Sequence, residues 1–163
     1  MLSRELIESN LQPLGLKLPN NPPAPLGLYK PVRVDGDIAW TSALGPLAID
    51  GTGFSHKGEI GTDLSEQDGR AAARITALNL IAALDREPGL AAVLRTLELV
   101  AYVRSAADFE GHPKVADGAS EVILAAFGEE VGAHARTVVG VRSLPFALPF
   151  VASLRVRLGR GLS

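Results

Sequence analysis

From Phe150 to Leu158 the chain alternates: Phe150, Ala152, Leu154, Val156 and Leu158 fall on one side, and Val151, Ser153, Arg155 and Arg157 on the other. Successive side chains of a strand point to opposite faces, so this pattern buries one face of a sheet and leaves the second largely polar. The stretch Leu94–Arg104 repeats it, with Leu97, Leu99, Ala101 and Val103 opposite Thr96, Glu98, Tyr102 and Arg104. A chain with such strands folds as a sheet covered on one face by its own helices, and the other face must find a cover.

Two segments supply the covering layer. Ser65 is placed to cap a helix running to about Arg86, with Glu66 and Asp68 complementing the dipole of its first turn and Ala72, Ile75, Leu78, Ala82 and Leu84 as its apolar stripe. Pro88-Gly89 ends it. A second helix starts at Lys114 or Asp117 and runs to Phe127; Ala119, Val122, Ile123, Ala126 and Phe127 have helical spacing, and Gly128 is the stop. Earlier, Pro31–Val34 and Asp37–Thr41 read as strands joined at Asp35-Gly36, a dipeptide suited to a hairpin turn. Residues 45–61 read as a long loop with a short strand at His56–Ile60, and Arg136–Arg142 as a strand ended by Leu144-Pro145. The order is β-β-α-β-α-β-β, an α/β sandwich with both helices on one face of the sheet.

Before this pattern, residues 3–12 suit a short amphipathic helix with Leu6, Ile7 and Leu11 on one side, and the proline-rich Leu18–Gly27 suits an extended connector. We therefore expect an appended extension, 1–26, and one domain, 27–163. A length of 163 residues fits one core. The chain has no Cys, which excludes disulfides, thiolate metal sites and cysteine nucleophiles. Its formal charge of −2 leaves no basic excess for a phosphate backbone. The charged start, Met1-Leu2-Ser3-Arg4-Glu5, has no apolar leader or membrane span, so the expected setting is the cytoplasm, away from membranes and nucleic acid.

Arg136 stands at the head of an otherwise apolar strand, where a guanidinium wants an anion. Its partner is either a carboxylate of the chain, as a structural ion pair, or an acid-bearing ligand; Val138 and Gly140 further along the strand would give that ligand a smooth surface. His56, His112 and His134 lack zinc-site spacing, Ser42 lacks the hydrolase elbow, and Gly51-Thr52-Gly53 lacks the rest of a phosphate loop, so no metal or cofactor is expected. Asp108, Glu110 and Asp117 read either as acid–base groups or as a charged loop leading into a helix.

Taken together, Ala135-Arg136-Thr137-Val138-Val139-Gly140-Val141 followed by Leu144-Pro145 resembles the C-terminal signature of the RidA family, the reactive intermediate deaminases formerly called YjgF-type or L-PSP endoribonucleases. Gly27-Leu28-Tyr29, Trp40-Thr41-Ser42-Ala43 and Val100-Ala101-Tyr102-Val103 with Asp108-Phe109 resemble its other segments in order. His112-Pro113-Lys114, Asp117-Gly118-Ala119-Ser120 and His134-Ala135-Arg136 are similar to a longer branch with an N-terminal extension. The resemblance implies a chorismate-mutase-like α+β fold, a homotrimer covering the open sheet faces, and ligand clefts between subunits. It implies Arg136 as the grip on a substrate carboxylate, Tyr29 and Ser42 with Ala43 in the cleft, and Asp117 near the place of a cleft Asn. The implied reaction is hydrolysis of enamines or imines to 2-keto acids and ammonia. Departures from the pattern are Ala43 for a Gly, Leu44 for a polar residue, and Val151 and Ser153 where the last strand usually carries acids. Three readings follow: an imine deaminase, a non-catalytic small-molecule-binding or regulatory protein of the same fold, and, remotely, an endoribonuclease.

Overall fold

The computed structural model describes residues 1–159. Helix α1 (Arg4–Leu11) comes first, then the hairpin β1 (Val32–Asp35) and β2 (Ile38–Thr41), helix α2 (Glu66–Arg86), β3 (Val93–Arg104), α3 (His112–Gly132), β4 (Ala135–Val141) and β5 (Phe150–Leu158). The five strands form one mixed sheet in the order β1-β2-β5-β3-β4. Only β3 and β4 are parallel, with α3 as the crossover between them.

One face of the sheet is dry. Ala39, Leu99, Ala101, Val103, Ala152, Leu154 and Val156 are all buried there beneath α2 and α3. The opposite face carries Trp40, Glu98, Val100, Tyr102, Val151, Ser153 and Arg155, cross-strand neighbours left half-buried or exposed. The alternation of β5 holds throughout. In β3 it breaks near the start, where the pairing shifts between Thr96 and Glu98, so Thr96 is buried and Leu97 is not.

The start of α2 is capped as its sequence requires. Ser65 Oγ accepts from the Asp68 N–H (3.1 Å) and the Asp68 carboxylate accepts from the Ser65 N–H (2.8 Å), a reciprocal arrangement of the kind worth about 1 kcal/mol. The Ser65 hydroxyl, which donates to the Asp68 carboxylate at 2.7 Å, and then the Ser65 N–H hold that carboxyl below the usual carboxylate range. From Thr76 to Leu84 the helix is buried all round, so its apolar surface is wider than the predicted stripe, while Ile75 is only half-buried. It lies so close to α3 that a Cβ on Gly118 would collide with the Arg70 carbonyl.

Three expectations need correction. In the segment 1–26, α1 packs on α3, and Ile7, Leu11 and Leu18 belong to the same buried cluster as the sheet. Leu6 is exposed rather than sharing that face. Among the described residues, α2 and α3 lie on the sheet and α1 packs behind them on α3. No strand forms at His56–Ile60; Ile60 alone bridges, to Leu64 and Ser105. Finally, α3 runs past the predicted stop to Gly132, but the break is where the glycine lies, with Gly128 leaving helical geometry at φ 78°.

Candidate functional site

The residues singled out in the sequence fall into two groups, and the sheet separates them. The first group surrounds a cavity of about 720 Å³, within the size range of ligand sites. Tyr29, Ser42 and Ala43 line it together with Leu44, Phe54, Phe146 and Val151.

A bulge places Ser42 and Ala43 there. Between the pairs Trp40–Arg155 and Leu44–Ala152, three residues, Thr41, Ser42 and Ala43, face two, Ser153 and Leu154. The extra residue turns the chain end outward. The Leu154 N–H, which loses its ladder partner, donates instead to Thr41 Oγ1 at 2.8 Å. Ser42 Oγ donates to the Lys30 carbonyl (2.7 Å), and the Tyr29 hydroxyl accepts from the Leu26 N–H (3.2 Å). Both polar groups are thus tied to the chain around the rim.

Two further devices shape the cavity. Asn79, fully buried on α2, donates through Nδ2 to the carbonyls of Gly45 (3.2 Å) and Leu47 (2.9 Å) and pins that wall to the core. Opposite it, Phe146 and Ala147 both adopt left-handed backbone, φ 57° and 56°, a geometry that costs a non-glycine residue roughly 1–2 kcal/mol. The Ala147 carbonyl accepts from the Gly58 N–H (2.8 Å), and the Phe146 ring is held 5.5 Å from that of Phe54. Neither Asn79 nor Phe146 belongs to a motif of the sequence. A polar residue inside the apolar run Ala77-Leu78-Asn79-Leu80 was the available signal for the first.

The second group lies at the far edge, on β4. Arg136 and Val138 pair with Leu99 and Ala101, so they point to the helix side of the sheet, the side away from Val151. Arg136 Nη1 donates to Asp117 Oδ1 (2.7 Å) and Ser120 Oγ (3.1 Å), and Nη2 reaches the Pro113 carbonyl at 3.4 Å. Within one chain, then, the partner of Arg136 is Asp117, in a half-exposed ion pair. Along β4 the His112 ring packs against Gly140, in the space that a side chain there would need, with Ser105 Oγ 3.0 Å from its Nε2.

Next to this pair, Arg70 and Arg74 of α2 both hold Glu121 of α3, at 3.1 and 2.7 Å. The Arg74 hydrogen bond is the main reason the Glu121 carboxyl titrates below its usual range. Asp108 and Glu110 lie in the loop before α3. Among the described residues, no cluster of three His, Cys, Asp or Glu has the grouping of a metal site, and no helix is long and apolar enough to cross a membrane.

Comparison with known proteins gives this arrangement relatives. Residues 8–154 match the family described as "YjgF/chorismate mutase-like, putative endoribonuclease". Protein TCP17 of Trypanosoma cruzi is 40% identical over 141 residues, 86% of each chain. The solved structure of protein Atu1372 from Agrobacterium tumefaciens, described as of unknown function, superposes with a TM-score of 0.86 at 28% identity, covering 96% of this chain and 94% of that one. One from Shewanella oneidensis MR-1, described as a "putative endoribonuclease", gives 0.86 at 32%, covering 93% and 99%. The Escherichia coli YjgF gene product shares the fold at a TM-score of 0.58 and 21% identity, covering 84% and 93%.

Proposed function

Because the chain belongs to the YjgF/chorismate mutase-like family, we propose that it binds a small organic acid in clefts completed between the copies of a homotrimer, and hydrolyses imine or enamine intermediates there. The observation that carries this reading is the separation of the two groups. Tyr29, Ser42 and Ala43 line the cavity on one side of the sheet, while Arg136, Asp117 and Val138 lie on the other. Strands β5 and β3 stand between β2 and β4, a gap of about 14 Å at the usual strand spacing. One ligand reaches both groups only if they come from different copies. The same packing covers the sheet face that carries Trp40, Tyr102 and Val151, and a cytoplasmic setting suits a scavenger of metabolic by-products.

In such a cleft the Arg136 guanidinium pairs with the ligand carboxylate, and the apolar walls around Phe54 and Phe146 take its side chain. The chemistry asks for little more. Water adds to the imine carbon, the C–N bond then breaks, and ammonia and a 2-keto acid leave; orientation and charge pairing lower the barrier of a reaction that is already facile.

Two chains, each broken in one half, test the idea. Arg136→Ala and Phe146→Ala proteins should each release keto acid from freshly generated 2-aminoacrylate far more slowly than the wild type. Mixed and reassembled, they should regain activity, since some clefts then receive both intact halves. No recovery on mixing, or a stable monomer in sedimentation, rules out the shared cleft.

A second reading, binding without turnover, is favoured by Val151 and Ser153, which give β5 no acid at this place. Wild type that binds a 2-keto acid but does not speed imine loss would establish it. RNA cleavage, raised by the family description, has a direct check in incubation with nuclease-free preparations. The apolar character of the cavity argues for the small molecule.

A further inference from the structure

Each of the three histidines touches a serine hydroxyl, but the three pairs are not alike. His56 Nδ1 meets Ser55 in an exposed loop, and His112 Nε2 meets Ser105 with its ring wedged between Phe109 and Gly140. His134 Nε2 lies 3.0 Å from Ser120 Oγ, while its Nδ1 lies 2.7 Å from the Gly132 carbonyl. That second contact decides the protons. A carbonyl only accepts, so Nδ1 carries the hydrogen and Nε2 of the neutral ring presents a lone pair. Ser120 must then donate its hydroxyl proton to Nε2. Its oxygen keeps two acceptor positions, of which Arg136 Nη1 takes one at 3.1 Å.

The result is a directed chain: Gly132 C=O accepts from His134, His134 accepts from Ser120, and Ser120 accepts from Arg136. The adjoining guanidinium makes negative charge on the serine oxygen less costly, as a nearby cation does for any developing anion. The last acceptor position of Ser120 is open to a donor from outside. Both side chains are half-buried, within reach of a ligand that engages Arg136. The charged groups in the network are Arg136 from β4 and Asp117 from α3.

We infer that Ser120 and His134 form a proton relay serving the Arg136 side of the cleft, in which Ser120 Oγ meets the attacking water and His134 Nε2 is the base. This deepens the imine-hydrolysis reading and rests on it. It also answers the lack of an acid at Val151 and Ser153, because the base comes from the β4 half of the site instead.

The protons balance from the iminium form of the substrate. The water oxygen bonds to the iminium carbon, the C=N π pair moves to nitrogen, and the water proton passes through Ser120 to His134. The imidazolium next gives that proton to the amine. As the C–N bond breaks and ammonia leaves with the bonding pair, the carbinol O–H returns a proton to His134 and the C=O forms. The products are 2-keto acid, ammonia and one proton, which His134 releases to solvent.

Keto acid release from 2-aminoacrylate, followed from about pH 5 to 9, tests the relay across the range where an imidazole titrates. Ser120→Ala and His134→Gln should lower kcat about 100-fold with KM little moved, within the usual scale of general base catalysis. Ser120→Thr, which keeps the hydroxyl, should retain most activity. The wild-type kcat should fall on the acid side of that range, a limb that His134→Gln lacks. Wild-type kcat in a folded Ser120→Ala or His134→Gln protein overturns the relay and leaves the deaminase reading standing, as does a wild-type profile flat through that range. Should the variants not fold, the wild-type profile decides alone. Failure of the wild type to accelerate the reaction at all overturns both readings.

Discussion

Around Phe54 and Phe146 the chain leaves apolar surface unfilled, whereas Arg136 already holds a carboxylate, a hydroxyl and a carbonyl. The cavity is a shape held open from behind, by Asn79 on one side and a left-handed turn on the other. Under the proposed function, affinity there should follow the size and polarity of what enters. The Arg136 network is a set of exchangeable hydrogen bonds, so a ligand there competes with Asp117 and must offer a better geometry to displace it. The two halves teach that the fold fixes volume on one side of the sheet and proton positions on the other.

The comparison is most exposed at Arg136. Arg136→Lys keeps the charge but loses the planar fork, and pyruvate affinity measured by calorimetry should fall about 10- to 100-fold, the scale of one or two charge-assisted hydrogen bonds. Asp117→Asn should act in the opposite direction and tighten binding. Weaker binding in Asp117→Asn would show that Asp117 positions Arg136 rather than competing for it.

On the cavity side, Asn79→Ala removes two part-buried hydrogen bonds; the Gly45 carbonyl keeps the Leu47 N–H as a donor, and the Leu47 carbonyl loses its side-chain donor. We expect a loss of about 1–2 kcal/mol in denaturant unfolding, since the unpartnered Asn79 Oδ1 is removed as well, and a change in the cavity wall. Unchanged stability would mean that the wall does not depend on this clamp.

Smaller still, Ala147→Gly should stabilise the protein by about 1 kcal/mol, because glycine adopts φ 56° freely. A drop in melting temperature would show that this turn is not under backbone strain.

The smallest effect belongs to Glu121. Its folded pKa lies below the ordinary value of 4.5, chiefly through the Arg74 hydrogen bond. The stability it contributes is therefore present above pH 4.5 and is lost as pH falls through the lower folded value. Glu121→Gln should flatten that part of the acid unfolding curve slightly, as expected of a pair in contact with solvent. An identical acid limb in both proteins would count against the shift.

Much of the sheet was legible because its signals are local. The alternation of Phe150–Leu158, the turn at Gly36 and the Ser65 cap each depend on a few neighbouring residues, and the structure reproduces them. The shift at Thr96–Glu98 was not legible, since one extra residue reverses the phase of a strand without altering its composition. Helix α1 was underestimated for a different reason: with only Ile7 and Leu11 turned inward, its apolar face is too narrow to reveal how deeply it sits on α3. Arg136 stood out in the sequence as a charge in need of a partner, and Asp117 was named as a candidate acid. That the two meet, with Ser120 and His134 beside them, depends on the crossover from α3 to β4, which pattern alone does not place.

Residues 1–26 do two things at once. Ile7, Leu11 and Leu18 are part of the core, and Pro23, Ala24 and Leu26 form part of the cavity wall. Stability and the shape of the cavity wall are therefore coupled in this segment. A lineage drifting at the core-facing positions would shift the wall, and one selected for a new ligand at positions 23–26 would have to preserve the seating of α1. Grafting this segment from one relative onto another should transfer ligand preference only when its docking surface on α3 is carried over with it.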